Sequence, residues 1–140
     1  MKNIVYVSNA VKLLDNNELL NILNTARKNN AKRGVTGVLL YSDRIFIQLL
    51  EGEDADVDHI FGEIEKDIRH KNMITLIDEE IHTKDFPEWS MGFSTPSAGK
   101  LKDILGYLQS VDNLNANQSN SAAVMTLKSF IKSNNLTVNY

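Results

Sequence analysis

The chain contains no cysteine. That excludes disulfides, thiolate zinc sites, iron–sulfur clusters and thiol nucleophiles together. It also lacks any apolar run approaching the roughly 20 residues that a membrane span needs. The N-terminal residues show no long apolar region and no cleavage pattern, so no signal peptide is expected and the expected location is the cytoplasm. A surplus of positive charge is missing too: 15 Lys and Arg stand against 18 Asp and Glu, a net charge of −3. Binding to nucleic acid through bulk charge is thereby excluded. No G-x-G-x-x-G or phosphate-loop pattern occurs. His59, His70 and His82 lack the close spacing of a helical metal pair, and no metal site is expected. No Ser-His-Asp arrangement is recognisable, and the chain does not read as an enzyme.

What is present is ordinary globular material: 140 residues, 42% of them hydrophobic and 24% charged. This suits one domain with a short appendage, able to bury about two thirds of its surface. The β-branched and aromatic run Ile4-Val5-Tyr6-Val7 predicts a first strand, with Ile4, Tyr6 and Ser8 on one face and Val5 and Val7 on the other. Asp15 and Glu18 form a capping-box pattern, and Leu19, Ile22, Leu23 and Ala26 follow at helical spacing. This helix is expected to end at Asn29-Asn30, where adjacent amides favour a C-terminal turn. Residues 35–41 and 45–50 read as a hairpin turned at Ser42-Asp43-Arg44, with Glu51-Gly52 breaking the second strand. A second helix follows, its first turns acidic and its apolar stripe formed by Val57, Ile60, Phe61, Ile64 and Ile68. Arg69-His70 is placed at its end to complement the dipole. Residues 73–77 form a fourth strand and residues 86–93 lead into a fifth.

The predicted fold is α+β, a ferredoxin-like β-α-β-β-α-β-β arrangement over residues 1–95. Two helices cover only one face of such a sheet. Strands one and three are apolar on both faces, so the second face needs a cover. Helical patterns at Leu101, Ile104, Leu105 and Leu108, and again at Val124, Leu127 and Ile131, predict an amphipathic pair in the extension 96–140. That pair either packs back onto the sheet or serves a partner.

Two polar side chains stand out. Gln48 interrupts an apolar strand and must find hydrogen-bond partners there. A structural partner and a bound ligand satisfy it equally well. Alternation puts it beside Phe46 and Leu50; sheet order decides whether this is also the face of Tyr6. Tyr6 by itself reads most simply as a half-buried core tyrosine. Trp89 and Met91 read as core or rim.

Together these residues carry more. The strings Val35-Thr36-Gly37-Val38-Leu39-Leu40-Tyr41, Phe46-Ile47-Gln48-Leu49-Leu50-Glu51-Gly52, Asp67-Ile68-Arg69-His70 and Phe86-Pro87-Glu88-Trp89-Ser90-Met91 closely resemble the BLUF family, blue-light sensors that use flavin. The resemblance covers residues 2–95, and the order and flanks of Tyr6, Asn30, Gln48, Trp89 and Met91 make it specific. It implies the same βαββαββ fold and a non-covalently bound flavin lying between the two helices. FAD is the flavin it implies, with FMN or riboflavin as alternatives.

By the same resemblance, Ile22 and Ile64 match the apolar walls around the ring. Asn30, with Asn29 beside it, matches the contact to the ring's polar edge. Arg69 matches a basic position near that edge, next to His70. Tyr6 matches the photoactive tyrosine, a donor of an electron and then of its phenolic proton. Gln48 matches the switching glutamine, whose amide both donates and accepts and so can rewire hydrogen bonds. After charge recombination the flavin keeps a stronger hydrogen bond at its C4 carbonyl, and its absorption is red-shifted until dark recovery. Trp89 and Met91 match residues that relay the change toward the extension. The absence of cysteine agrees, since no cysteinyl adduct is used. The implied output is a change in self-association or in contact with a downstream protein. The alternative is a ferredoxin-like binding or scaffold module without a light response. A small hydrolase on this fold has only loose His and Arg candidates.

Overall fold

The β-branched N-terminal run forms β1 (Lys2–Ala10), which lies inside the sheet with a neighbour on each side. In chain order there follow α1 (Asn16–Lys32), β2 (Thr36–Ser42), β3 (Ile45–Gly52), α2 (Asp54–Glu65), β4 (His70–Glu80), β5 (Gly92–Ser94) and α3 (Ala122–Ser133). The computed structural model describes residues 1–87, 92–94 and 121–133. Strand order is β4-β1-β3-β2-β5. The first four strands pair antiparallel, and β5 adds to the edge parallel to β2. This is the expected ferredoxin-like sheet with its extra strand. Among the described residues no helix is long and apolar enough to cross a membrane.

The local signals act as anticipated at most ends. Asp15 closes a capping box: its carboxylate accepts the Glu18 N–H at 2.8 Å while the Glu18 side chain reaches back to the Asp15 N–H. The β2–β3 hairpin turns through Asp43 and Arg44, at φ of 49° and 68°. Two consecutive left-handed residues give the twist that a tight hairpin requires.

Several boundaries differ from expectation: β1 and β4 extend beyond the expected 4–7 and 73–77 at both ends, and three other ends move. α1 continues through Asn29 and Asn30 to Lys32. The turn falls instead on Gly34 at φ 66°, with the Val35 N–H bonding the Asn30 carbonyl and the Gly34 N–H that of Ala31. Gly34 alone takes the left-handed position without a Cβ penalty, so it ends the helix. β3 also runs through Glu51 to Gly52 rather than breaking there, because Lys2, Asn3 and Thr36 continue the pairing opposite. α2 stops at Glu65, one turn early, which leaves Ile68 outside the apolar stripe and 89% exposed. Arg69 therefore does not serve the helix end but turns to Asp67. His70 still reaches back, its Nε2 lying 2.6 Å from the Ile64 carbonyl in the last helical turn.

Both faces of the sheet are covered across β1, β2 and β3, as the two-sided apolar strands required, while β4 stays mostly exposed. On one face Ile4, Leu39, Phe46 and Leu50 pack against Leu19 and Leu23 of α1 and Val57 and Ile60 of α2. On the other, Val5, Val38, Leu40, Ile47 and Leu49 meet Phe86 and Ala123, Val124 and Leu127 of α3. Each fully buried leucine here contributes about 1.5–3 kcal/mol. The second helical pattern of the extension is thus the cover for the second face. The first pattern, at residues 101–108, lies outside the described residues.

One glycine is demanded by close approach. A Cβ on Gly37 of β2 would stand 1.8 Å from the Leu49 carbonyl oxygen of β3. Backbone cannot yield as a flexible side chain does, so Gly37→Ala must push the central strands apart. Chemical denaturation should show it destabilised by about 3 kcal/mol.

Candidate functional site

Between α1, α2 and the sheet lies a cavity of about 340 Å³. Its walls are apolar: Ile22 comes from α1, Ile60 and Ile64 from α2, and Leu39 and Phe46 from the sheet. Its volume lies at the lower end of the range for small-molecule sites, about 300–1,000 Å³. It suits a flat ring system with its substituents extending outward. The sequence singled out Ile22 and Ile64 as walls. It did not single out Leu39, Phe46 or Ile60, since each also reads as plain core.

Tyr6 and Gln48 sit at the floor of this cavity. They are direct cross-strand partners in the β1–β3 register, which settles the question of face. The Tyr6 hydroxyl donates to Gln48 Oε1, and both side chains are only 3% exposed. Burial, aided by the negative charge of Asp67, pushes the Tyr6 pKa up, so the phenol keeps its proton. Its ring meets Phe61 edge-on at 5.8 Å between centroids. Besides this acceptor the Gln48 amide carries two N–H donors, so the side chain can both accept and donate at the cavity floor.

The polar rim is built from the two helix ends. Asn30 is buried in the last turn of α1 and lines the cavity, whereas Asn29 stands at its exposed mouth. His70 Nδ1 lies 2.8 Å from Ser8 Oγ. Because Nε2 faces a carbonyl it must carry a proton, so in the neutral ring Nδ1 accepts from Ser8. Arg69 also lines the cavity, and its Nε donates to the Asp67 carboxylate at 2.9 Å. That hydrogen bond is the main reason the Asp67 pKa is lowered and the Arg69 pKa raised. Asp67 lines the cavity without standing out in the sequence as a site residue, as do Thr25, Glu63 and Lys66. The sequence signal for Asp67 is its place two residues before Arg69, in the run Asp67-Ile68-Arg69-His70. Trp89 and Met91 lie outside the described residues.

A buried amide pair over an apolar cavity fits a heteroaromatic ring that carries both donors and acceptors on its edge. Flavin is such a ring. Ile22, Ile60 and Ile64 would hold its faces, and Asn30 and Gln48 its polar edge.

A second buried polar group lies on the opposite face of the sheet. Glu51 is fully buried, and its carboxylate accepts the N–H groups of Asp85 at 2.8 Å and Phe86 at 2.9 Å. Desolvation outweighs those bonds and pushes its pKa up from 4.5 to about 7. The folded state therefore holds this proton more tightly than the unfolded chain. Between pH 4.5 and about 7 the unfolded chain ionises first, so this group's contribution to stability falls as pH rises and is flat above. The loss amounts to roughly 3 kcal/mol. Melting temperatures from pH 5 to 8 should show this slope in the native chain and not in Glu51→Gln.

Comparison with known proteins gives a consistent picture. A family model described as BLUF, sensors of blue-light using FAD, matches residues 1–92. The photoactivated adenylate cyclase subunit beta of Euglena longa is 29% identical over 113 residues, covering 77% of this chain. The chain spans only 13% of the length of that relative. Among solved structures, BlrB, a BLUF protein in its dark state, superposes with a TM-score of 0.65 at 27% identity, over 83% of this chain and 92% of that one. BlsA in a photo-activated state gives 0.67 at 29% identity, over 99% of this chain and 97% of that one.

Proposed function

This chain belongs to the BLUF family of flavin-binding blue-light sensors, and from that premise we propose that the Tyr6–Gln48 pair is its switch. Its function is sensing rather than turnover. The observation that carries the assignment is the hydrogen bond from Tyr6 to Gln48 at the floor of an apolar cavity. Flavin, when bound, supplies the absorption of blue light and an acceptor for one electron. Tyr6 would be the donor of that electron, and its phenolic proton would pass along the hydrogen bond to Gln48 Oε1. Loss of the proton removes the donor that held Gln48 Oε1, so the amide is released to reorient or exchange protons. When the electron and proton return to Tyr6, Gln48 is left in a different hydrogen-bonding arrangement. Dark recovery is the return of the amide to its first position.

The other residues hold the cofactor. Ile22 and Ile64 clamp the ring, Asn30 meets its edge with Asn29 at the mouth, and Arg69 and His70 close the rim. The flavin is FAD, the one in the family description; heat release and chromatography of the chromophore identify it. Residues 1–95 act as the sensor and 96–140 as its extension, a division supported by α3 lying across the second face. Trp89 and Met91, in the stretch leading into β5, relay the change to that extension. The output is an altered contact with a second copy or a downstream protein, for which Ile74 and Leu76 on edge strand β4 offer exposed apolar surface. Cytoplasmic location belongs to the same proposal. A light-insensitive scaffold is not favoured, since it gives the buried Tyr6–Gln48 bond no task.

The decisive experiment is an absorption spectrum of the flavin-loaded protein before and after blue light. A reversible red shift is expected. Colourless protein, or bound flavin with no light response, overturns the reading.

A further inference from the structure

Glu51 has no place in the mechanism above. It lies on the same strand as Gln48, three residues on, but faces away from the cavity. Residues 47 and 49 of β3 share its face and pack against the α3 side of the sheet. A fully buried carboxylate there needs a reason.

Its strand neighbours do not hold it. Asn3 and Thr36 stand opposite Glu51 on β1 and β2, and neither side chain has a hydrogen-bond partner among the described residues. Both hydrogen bonds of the carboxylate run instead to the backbone N–H groups of Asp85 and Phe86. Those residues directly precede the stretch that leads into β5. Asp85 extends the connection: its Oδ2 accepts from Ser121 Oγ at 2.8 Å. Ser121 in turn caps α3, its Oγ accepting the Val124 N–H at 3.1 Å. Phe86 and Val124 both pack in the core that contains Leu49, the residue next to Gln48.

We propose that Glu51 is a positioning residue for the light response, tying β3 to the start of α3 through Asp85 and Ser121, so that a change at Gln48 reaches the opposite face. This rests on the Tyr6–Gln48 reading. The physical content is that one rigid strand carries the switch on one face and the anchor on the other. A shift of β3 at Gln48 moves the Glu51 carboxylate relative to the 85–86 backbone. The Asp85–Ser121 bond then transfers the shift to the helix cap. The charged groups near Glu51 are Asp85 and Lys84; Asp85 opposes its ionisation and Lys84 favours it, both weakly.

The test compares the full flavin-loaded chain with Glu51→Gln and Ser121→Ala. Three quantities are read in dark and light: the flavin red shift, amide hydrogen exchange over α3, and the carboxyl region of the infrared difference spectrum. All three proteins should keep the red shift, because neither residue lines the cavity. The native chain should exchange several-fold faster at Val124 and Met125 in light than in dark. It should also show a carboxyl difference band that Glu51→Gln lacks. In both variants the light-minus-dark exchange difference over α3 should vanish. A merely structural role would change exchange equally in dark and light and would give no infrared band. If Glu51→Gln does not fold, Ser121→Ala decides, because it leaves Glu51 and the core intact. A light-dependent exchange difference that survives in the variants overturns the proposal. So does a native chain that red-shifts with no change at α3. Absence of the red shift in the native chain is a different failure, and it is the switch assignment that falls.

Discussion

Tyr6→Phe is expected to bind flavin and to give no red-shifted state under blue light. Phenylalanine keeps the ring that packs against Phe61, so the cavity floor retains its shape. What is lost is the hydroxyl, and with it both the transferable proton and the partner of Gln48 Oε1. Phenylalanine is also a far poorer electron donor. The flavin should therefore stay emissive, whereas in the native protein Tyr6 is expected to quench it. A buried acceptor left without its donor costs about 1–3 kcal/mol, offset where flavin or water takes over. The light-minus-dark absorption spectrum and flavin fluorescence check this together. An unchanged red shift in Tyr6→Phe removes Tyr6 from the mechanism.

The second large effect is expected from Gln48→Leu. Leucine fits the apolar strand and fills nearly the same volume, so the sheet should form. It has neither donor nor acceptor, so no second hydrogen-bonding arrangement exists to be populated by light. The red shift should be abolished here too, but by a different route: Tyr6 remains, and flavin fluorescence should remain quenched. That contrast separates loss of the donor from loss of the switch. The phenol is now the orphan, at 3% exposure, and this costs about 1–3 kcal/mol in denaturation experiments. If Gln48→Leu cycles like the native chain, the glutamine is a structural residue and the switch lies elsewhere.

The legible parts of this fold are those that depend on near neighbours in the chain. The alternation in β1 correctly divides Ile4 and Tyr6 from Val5 and Val7. The two-sided apolar pattern of β1 and β3 correctly demands a second cover, and the pattern at Val124 and Leu127 supplies it. Asp15 and Glu18 mark the start of α1 because a capping box is a local device. The ends were harder. Adjacent asparagines look like a helix stop, yet Asn30 is drawn into the last turn by its place at the cavity, and Gly34 ends the helix instead. Glu51-Gly52 looks like a break, yet pairing partners far earlier in the chain, Asn3 for Glu51 and Lys2 for Gly52, hold both residues in the sheet.

The candidate site divides in the same way. Its residue types are written in the sequence: a tyrosine in one strand, a glutamine in another, and apolar stripes on two helices. The lack of cysteine excludes an adduct and leaves non-covalent chemistry. The tertiary structure alone decided that Tyr6 and Gln48 stand opposite each other, because register between residues 42 positions apart is set by the packing of whole strands. It alone decided that Glu51 is buried behind them and bonded to the 85–86 backbone. Periodicity specifies which way a side chain faces. What it meets there depends on which strands become neighbours, and that is fixed by the burial of both faces at once.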